Sequence, residues 1–224
     1  MQLASFKHVI WDWNGTLLND TTLCVEIINE MLASESLPGI DVDTYRRTFT
    51  FPVKTYYERI GLDLGPKSFE ELSARYIAEY TRRWNQCALH SGARECLENL
   101  ATQGISQSIL SASEEQSLHE AVEFHGLRDL FLRAIGQGDI YARGKLNRGR
   151  EWVEQLDWNP EEILLIGDTL HDFEVARTIG LQCLLVSHGH QCQTVLQGAG
   201  LPLCRNFHEL ADILQRGEKR NLSV

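Results

Sequence analysis

The sequence predicts an α/β fold, in which a Rossmann-like parallel sheet carries helices on both faces and an all-helical module is inserted early in the chain. From residue 89 onward, strand-like apolar runs alternate with amphipathic helices through short links, which is typical of a parallel sheet. Residues 162–167 form a continuous apolar run, the pattern of a strand buried on both faces. Residues 17–88 contain only helical periodicity. We therefore expect a core made of 1–16 and 89–224, with 17–88 as the inserted module.

The predicted core begins with a short strand at 6–12, where apolar and β-branched residues end on an acid before a turn-like Asn14-Gly15. After the inserted module, four further strands are predicted, separated by helices. The strands are 105–111, 132–136, 162–167 and 182–187, and the helices are 92–103, 113–126, 146–156, 171–179 and 207–216. Ser113 and Gln116 are expected to cap the second of these helices. The polar tail after the last helix is expected to fray.

The inserted module is predicted to contain three helices. Apolar residues recur at helical spacing over 23–32 until Pro38-Gly39 stops the pattern. Pro52 can open a second helix that Gly61 closes, and a third helix is indicated over 69–84.

Composition excludes several classes of function. The formal net charge of −10 argues against broad contact with nucleic acid or anionic membranes, while a small phosphorylated ligand remains compatible with it. The N-terminus has no secretory pattern, and no apolar run approaches the roughly 20 residues of a membrane span. The six scattered cysteines are expected to be reduced thiols. We expect a cytoplasmic protein, monomeric or homodimeric, that contacts neither nucleic acid nor membrane.

Chemically useful side chains follow several predicted strands. Asp12 closes the first strand, Ser111 closes the second and Asp168 closes the fourth, with Asp172 four residues later. Lys145 opens the helix after the third strand. Ligands of open α/β sheets bind beyond the carboxyl ends of the strands. Each residue alone could be structural, but together they suit phosphoryl transfer through an acyl-phosphate, with one carboxylate attacking and the others holding a hard cation.

Four segments resemble the motifs of the haloacid-dehalogenase superfamily. VIWDWNGTL (9–17) resembles its first motif, DxDGT[LV], and SILSAS (108–113) resembles the second. GDIYARGKLNRG (138–149) matches the third, and LLIGDTLHDFEVARTIGL (164–181) closely resembles the fourth, as found in phosphoglycolate-phosphatase-like members. The resemblance covers nearly the whole chain, because residues 17–88, hereafter the cap, lie where the family places a helical cap.

This resemblance implies a phosphatase in which Asp12 becomes an aspartyl-phosphate that water then hydrolyses. It implies Mg²⁺ as cofactor, held by Asp12, Asp168, the backbone carbonyl of Asn14, and Asp172 either directly or through water. The implied catalytic residues are Asp12, Asn14, Ser111 and Lys145, and the implied phosphate-binding residues are Gly15, Thr16, Ser111, Ala112 and Lys145. The fourth-motif acids argue against a dehalogenase.

The first motif departs from the family pattern at Asn14, where phosphatases of this family carry the Asp that acts as acid and base. A carboxamide can orient a leaving oxygen or a water molecule by hydrogen bonds, but it cannot carry a proton between them. General acid–base catalysis contributes roughly 10²–10⁴-fold to a rate. The plain expectation is therefore a slow phosphatase, unless the leaving group is good or another residue supplies the proton.

Four interpretations of Asn14 are open. In the first, the protein is a phosphatase in which water or a nearby group compensates, with His188 and His190 as the candidates to examine. In the second, it is a weak enzyme or a protein that only binds a phosphorylated ligand. The third is a phosphotransferase or phosphomutase, and the fourth is deamidation at the Asn-Gly pair.

Substrate preference is expected to lie in the cap, above all in the segment 48–61. Four basic residues near this segment could meet a substrate carboxylate, as in phosphoglycolate, although solvated helix faces are the favoured interpretation. They are Arg46, Arg47, Lys54 and Arg59. Tyr56, Tyr57 and Trp84 are expected in the cap core rather than in a stacking platform.

Overall fold

The structure is a computed structural model that describes residues 6–62, 65–138, 145–198, 200 and 203–216. Within these residues one sheet of six strands forms the core. The strands are β1 (His8–Trp11), β2 (Ser106–Glu114), β3 (Arg133–Gln137), β4 (Ile163–Gly167), β5 (Gln182–Val186) and β6 (Leu203–Cys204). Their order is β3-β2-β1-β4-β5-β6, and all paired neighbours are parallel. The predicted α/β fold is therefore confirmed.

Helices cover both faces of this sheet. In chain order the described helices are α1 (Thr21–Ser34), α2 (Val42–Thr48), α3 (Val53–Arg59), α4 (Pro66–Arg83), α5 (Ala93–Thr102), α6 (Glu115–Phe124), α7 (Lys145–Val153), α8 (Leu170–Ile179), α9 (Gln193–Gln197) and α10 (Phe207–Arg216). One face packs against α5, α6 and α10, and the other against α7, α8 and α9.

The alternation of side chains along β4 explains why this strand is apolar throughout. Leu164 and Ile166 enter the core on one face, while Ile163 and Leu165 enter the core on the other. All five residues of β4 are buried. Burial of apolar surface on both faces, at roughly 25 cal/mol per Å², stabilises this strand at the centre of the fold.

The strand order determines where a ligand can bind. β1 lies between β2 and β4, so the chain runs outward from β1 to both sides of the sheet. Such a reversal of strand order opens a crevice at the carboxyl ends of the strands. Asp12 and Asp168 follow the two adjacent strands β1 and β4 directly, and Ser111 lies on β2.

Helices α1 to α4 enclose a hydrophobic cluster of their own, built from residues between Leu23 and Leu72. The short helix α2 was not predicted, because its seven residues carry few apolar side chains. The boundaries of the cap at 17 and 88 stay a prediction.

The transition from β2 to α6 differs from the sequence prediction. β2 continues to Glu114, and the Glu114 carboxylate caps α6 by accepting hydrogen bonds from the backbone N–H groups of Gln116 and Ser117. The prediction that Ser113 caps this helix was wrong, because the Ser113 hydroxyl donates instead to the side chain of Asn14. The short elements α9 and β6 were also missed, and the tail 217–224 lies outside the described residues.

In the part of the chain that the structure describes, no helix is both long and apolar enough to cross a membrane. None of the six cysteines, all of which lie in the described residues, forms a disulfide bond.

Gly136 of β3 lies close to the backbone of neighbouring residues, and a substitution there tests this packing. A Cβ added at Gly136 would lie 2.5 Å from the Glu115 Cα and 2.8 Å from the Ser113 carbonyl oxygen, whereas one at Gly138 would meet open space. Gly136→Ala should lower the free energy of unfolding by about 1–3 kcal/mol, and Gly138→Ala should change it by less than about 0.5 kcal/mol. Urea unfolding of both variants measures this difference, and equal midpoints would contradict it.

Candidate active site

Three carboxylates meet at the carboxyl ends of the two central strands. Asp12 follows β1, Asp168 follows β4, and Asp172 lies in the first turn of α8. One carboxylate oxygen from each residue lies within 4.8 Å of the other two, and all three residues are buried. A donor set made only of carboxylate oxygens suits a hard divalent cation such as Mg²⁺.

Lys145, the first residue of α7, is 3% exposed and bridges two of these carboxylates. Its Nζ donates to Asp12 Oδ1 at 2.5 Å and to Asp172 Oδ1 at 2.6 Å. Burial alone would lower the pKa of Lys145, but the two carboxylates raise it and hold the ammonium charged. Lys145 therefore lies at the start of the helix after β3, as predicted, and places a positive charge between Asp12 and Asp172.

One ammonium does not balance three buried carboxylates. Burial raises the pKa of Asp12 to about 8 against the opposing effect of Lys145, and burial also raises the pKa of Asp168 to about 6. Burial would raise the pKa of Asp172 too, but Lys145 lowers it below the usual value. The excess of negative charge is what a bound divalent cation would neutralise, so the residues present fit the implied metal.

Two residues of the predicted phosphate loop support the carboxylates. The Thr16 hydroxyl lies 3.1 Å from Asp12 Oδ2 and 3.0 Å from Asp168 Oδ1. Gly15 has φ 73°, and a Cβ there would overlap the Asp168 carboxylate. The Gly15 N–H donates to Leu18 O at 2.9 Å. Neither Gly15 nor Thr16 lines the cavity that begins at the carboxylates. Their roles in phosphate binding stay predictions.

Ser111 and Ala112 line the same cavity as the carboxylates. The Ser111 hydroxyl oxygen accepts a hydrogen bond from the Ser113 N–H at 3.0 Å, which leaves its own hydrogen available to donate to an anion. The carbonyl of Ser111 accepts from the Gln137 side chain at 3.0 Å. Ser111 therefore stands at the cavity wall with its backbone fixed.

Asn14 is held by a closed network that joins the core to the cap. Its Nδ2 donates to Asp20 Oδ2 at 2.7 Å and to the Tyr80 hydroxyl at 2.5 Å, and its Oδ1 accepts from the Ser113 hydroxyl at 2.5 Å. Tyr80 in turn donates to Asp20 Oδ2 at 2.6 Å. Both amide hydrogens of Asn14 are therefore engaged with protein groups.

A buried ion pair lies beside this network. Asp20 is fully buried, and its Oδ1 lies 3.4 Å from His190 Nε2, while His190 Nδ1 lies 3.0 Å from the Tyr45 hydroxyl. Burial would lower the pKa of His190, but Asp20 raises it to about 9; burial would raise the pKa of Asp20, but His190 lowers it. The backbone N–H of His190 donates to Asp168 Oδ2 at 2.5 Å. His190 is thus charged and held on both ring nitrogens.

Asp20, Cys24 and His190 also have potential metal-ligating atoms within 4.8 Å of one another. The Asp20 carboxylate already accepts hydrogen bonds from Asn14, Gly15 and Tyr80, which leaves it little capacity for a metal.

The two candidate histidines therefore differ. His190 lines the cavity, whereas His188 lies 3.1 Å from the carbonyl of Thr16 and does not line it. Asp20 and Tyr80 were missed by the sequence interpretation. The local signal for Asp20 was an acid at the start of the first cap helix, and Tyr80 was one member of a helical apolar pattern.

One cavity of about 240 Å³ extends from the carboxylates into the cap. Of the four basic residues near 48–61, Arg47, Lys54 and Arg59 are exposed. Arg46 donates to the carbonyl of His188 at 2.6 Å. None of the four lines the cavity, so the interpretation that they are not substrate contacts agrees with the structure.

Comparison with known proteins gives consistent matches. Residues 9–186 match the family described as haloacid dehalogenase-like hydrolase. A phosphoglycolate phosphatase of Synechococcus elongatus is 25% identical over 187 residues, which cover 82% of this chain and 84% of that protein. The tyrosine-protein kinase PtkA of Mycobacterium tuberculosis is 25% identical, over 81% of this chain and 62% of that protein. A haloacid dehalogenase-like family hydrolase from Streptococcus pneumoniae has a TM-score of 0.80 and 18% identity, covering 95% of this chain and 100% of that one.

The Asn14 network predicts that a second carboxylate is not tolerated beside Asp20. Asn14→Asp would place acceptor oxygens 2.7 Å apart, and should lower the free energy of unfolding by about 1–3 kcal/mol. Adding Asp20→Asn reverses the donor and acceptor between the two positions and keeps every hydrogen bond of the network possible, but it removes the ion pair with His190. Asn14→Asp should therefore cost less in the Asp20→Asn background than in wild type, by about 1 kcal/mol or more, because the loss of the ion pair cancels in this comparison. Urea unfolding provides the measurement.

Asn19→Asp is the matched control for this pair, because Asn19 is exposed and adjacent to Asp20. It should change the free energy of unfolding by less than about 0.5 kcal/mol. If Asn14→Asp costs as much in the Asp20→Asn background as in wild type, the two side chains are not coupled as described.

Proposed function

Because this chain belongs to the haloacid dehalogenase-like hydrolase family, we propose that it is a magnesium-dependent phosphatase acting on a small phosphorylated metabolite through an aspartyl-phosphate on Asp12. The observation that supports this most is the cluster of Asp12, Lys145 and Asp172, with Nζ to carboxylate distances of 2.5 and 2.6 Å at one end of the cavity. A nucleophilic carboxylate beside a fixed cation is the arrangement that phosphoryl transfer requires.

In the first step of the proposed reaction, a carboxylate oxygen of Asp12 bonds to phosphorus as the ester P–O bond breaks and the alcohol oxygen leaves with the electron pair. In the second step, water attacks phosphorus and the Asp12 carboxylate is released with inorganic phosphate. Lys145 and Ser111 offset the negative charge on the phosphoryl oxygens, because both line the cavity beside Asp12. Thr16 fixes the orientation of the Asp12 carboxylate.

Mg²⁺, when bound, supplies positive charge that reduces the repulsion between the phosphoryl group and the carboxylates. We propose that the side chains of Asp12, Asp168 and Asp172 hold it together with the backbone carbonyl of Asn14. The first three offer oxygen atoms within 4.8 Å of one another.

At position 14 the protein has no group that can give a proton to the leaving alcohol or take one from water. Asn14 carries no proton for the leaving alcohol, and its two amide hydrogens are directed to Asp20 and Tyr80. The leaving group must then take its proton from water, which favours esters of acidic alcohols. The same observation supports the second candidate function, a weakly active or inactive protein that binds a phosphorylated ligand in this cavity. Phosphoryl transfer to another acceptor is a less favoured alternative, which the name of the tyrosine-protein kinase relative keeps open.

The nucleophile is tested by release of phosphate from 4-nitrophenyl phosphate with Mg²⁺. Wild-type protein should release phosphate, chelation of Mg²⁺ should stop the release, and Asp12→Asn should lower the rate by at least about 10³-fold, because the nucleophile is removed. Asp129→Asn, the same change at an exposed aspartate, should leave the rate unchanged. Equal rates for wild type and Asp12→Asn would reject the catalytic proposal in favour of ligand binding.

The missing acid is tested by moving the carboxylate. The double variant Asn14→Asp with Asp20→Asn should raise kcat on an alkyl phosphate by about tenfold or more, because general acid–base catalysis contributes roughly 10²–10⁴-fold. Asp20→Asn alone should give no increase. Asn14→Asp alone should give a smaller one, because Asp20 at 2.7 Å raises the pKa of a new acid. An unchanged kcat in the double variant would mean that proton transfer does not limit the reaction.

A further inference from the structure

The cap lines its part of the cavity with aromatic rings. Ring contacts with centroid separations of 5.2 to 6.0 Å run without interruption from Phe51 through Phe49, Tyr45, Tyr56 and Tyr57 to Phe69, and all six residues line the cavity. Phe51 also lies 4.8 Å from His171 of the core, centroid to centroid. The aromatic wall therefore reaches from the cap interior to the edge of the carboxylate cluster.

Positive charge is confined to the other end of the cavity. Among the cap residues whose side chains the structure describes, which leaves out 63, 64 and 66–68, no Lys or Arg lines the cavity, and the single charged residue that does so is the acid Asp20. Lys145 and His190 line the cavity at the core end, where both are already paired with carboxylates. A substrate carboxylate placed among the cap rings would therefore be buried without a cation, which is costly.

The volume of the cavity suits a substrate with an aromatic ring better than it suits a two-carbon acid. The cavity of about 240 Å³ exceeds the roughly 150 Å³ of an apolar cavity that binds benzene. It also has room at the Asp12 end, where a phosphoryl group would lie.

Tyr56 and Tyr57 close the cap end of the cavity as parts of the cap core. They are only 1% and 2% exposed, and both belong to the buried hydrophobic cluster of the cap, as predicted from the sequence. The rings of this wall that remain half-buried are Phe49, Phe51 and Phe69.

We infer that the substrate is a phosphate monoester of an uncharged aromatic alcohol of the phenol type, and not a phosphorylated carboxylic acid. The phosphoryl group lies at Asp12, and the ring packs against the cap aromatics. This inference rests on the proposed function for the placement of the phosphoryl group. It also fits the missing acid, because aryl oxygens leave more readily than alkyl oxygens without a proton donor.

Calorimetric titration of the Mg²⁺-loaded protein with non-hydrolysable phosphonates tests the inference without catalysis. Benzylphosphonate should bind at least tenfold more tightly than 4-carboxybenzylphosphonate, which adds one charge to the same ring, or 3-phosphonopropionate, the analogue of phosphoglycolate.

A matched pair of variants locates the ring. Ile77 and Ile60 are both half-buried isoleucines of the cap, but only Ile77 lines the cavity. Ile77→Ala should weaken benzylphosphonate binding at least threefold and leave the binding of inorganic phosphate unchanged, whereas Ile60→Ala should alter neither. If Ile77→Ala does not fold, the comparison of the three phosphonates on the wild-type protein decides the point.

The failures of the two proposals are distinguishable. Tight binding of 3-phosphonopropionate, equal binding of all three phosphonates, or no binding of any would overturn the substrate class, even if Asp12 is shown to release phosphate. If the protein releases no phosphate but still prefers benzylphosphonate, the catalytic proposal is rejected and the cavity remains a binding site for a ligand of the inferred class.

Discussion

The arrangement of this protein depends on keeping three buried carboxylates close together with one ammonium between them. Asp12, Asp168 and Asp172 are brought together because β1 and β4 are neighbours and α8 begins directly after β4. Lys145 offsets part of the repulsion through two short bonds. The remaining negative charge is offset by neighbouring groups that donate hydrogen bonds to the carboxylate oxygens. Thr16 and the backbone N–H of His190 both serve this purpose.

The same electrostatic constraint gives a physical reason for the asparagine at position 14. Asp20 lies 2.7 Å from the Asn14 amide and is itself paired with His190. A further carboxylate at position 14 would face Asp20 and add to the negative charge already present at Asp12. The amide avoids this repulsion and donates to Asp20 and Tyr80 instead. The acid beside position 14 is Asp20, whose Oδ1 contacts Gly15 and His190 and whose Oδ2 accepts from Asn14 and Tyr80.

The sequence predicted the features that depend on local patterns. Strands buried on both faces and amphipathic helices have regular patterns of apolar residues in the sequence. These patterns predicted the strand β4, the acids after β1 and β4, and the helices of the cap. The contacts of Asn14 could not be predicted from the sequence. Its partners Tyr80 and Ser113 are 66 and 99 residues away, and only the folded chain brings them together. The extension of β2 was missed for the same reason, since Ser113 looks like a helix cap until its bond to Asn14 is known.

The cap and the carboxylate cluster are joined by a continuous chain of polar contacts. Tyr45 of the cap bonds to His190, whose backbone holds Asp168, and Gln191 donates to the carbonyl of Phe49 at 2.9 Å. Movement of α2 away from the core would break these bonds and open the aromatic end of the cavity to water. It would also leave the charges of His190 and Asp20 to be solvated. The contact of Tyr45 therefore keeps water from the ion pair, and His190 in turn holds Tyr45 of α2 against the core. Loss of this contact would hydrate a residue whose backbone N–H directly contacts the carboxylate cluster.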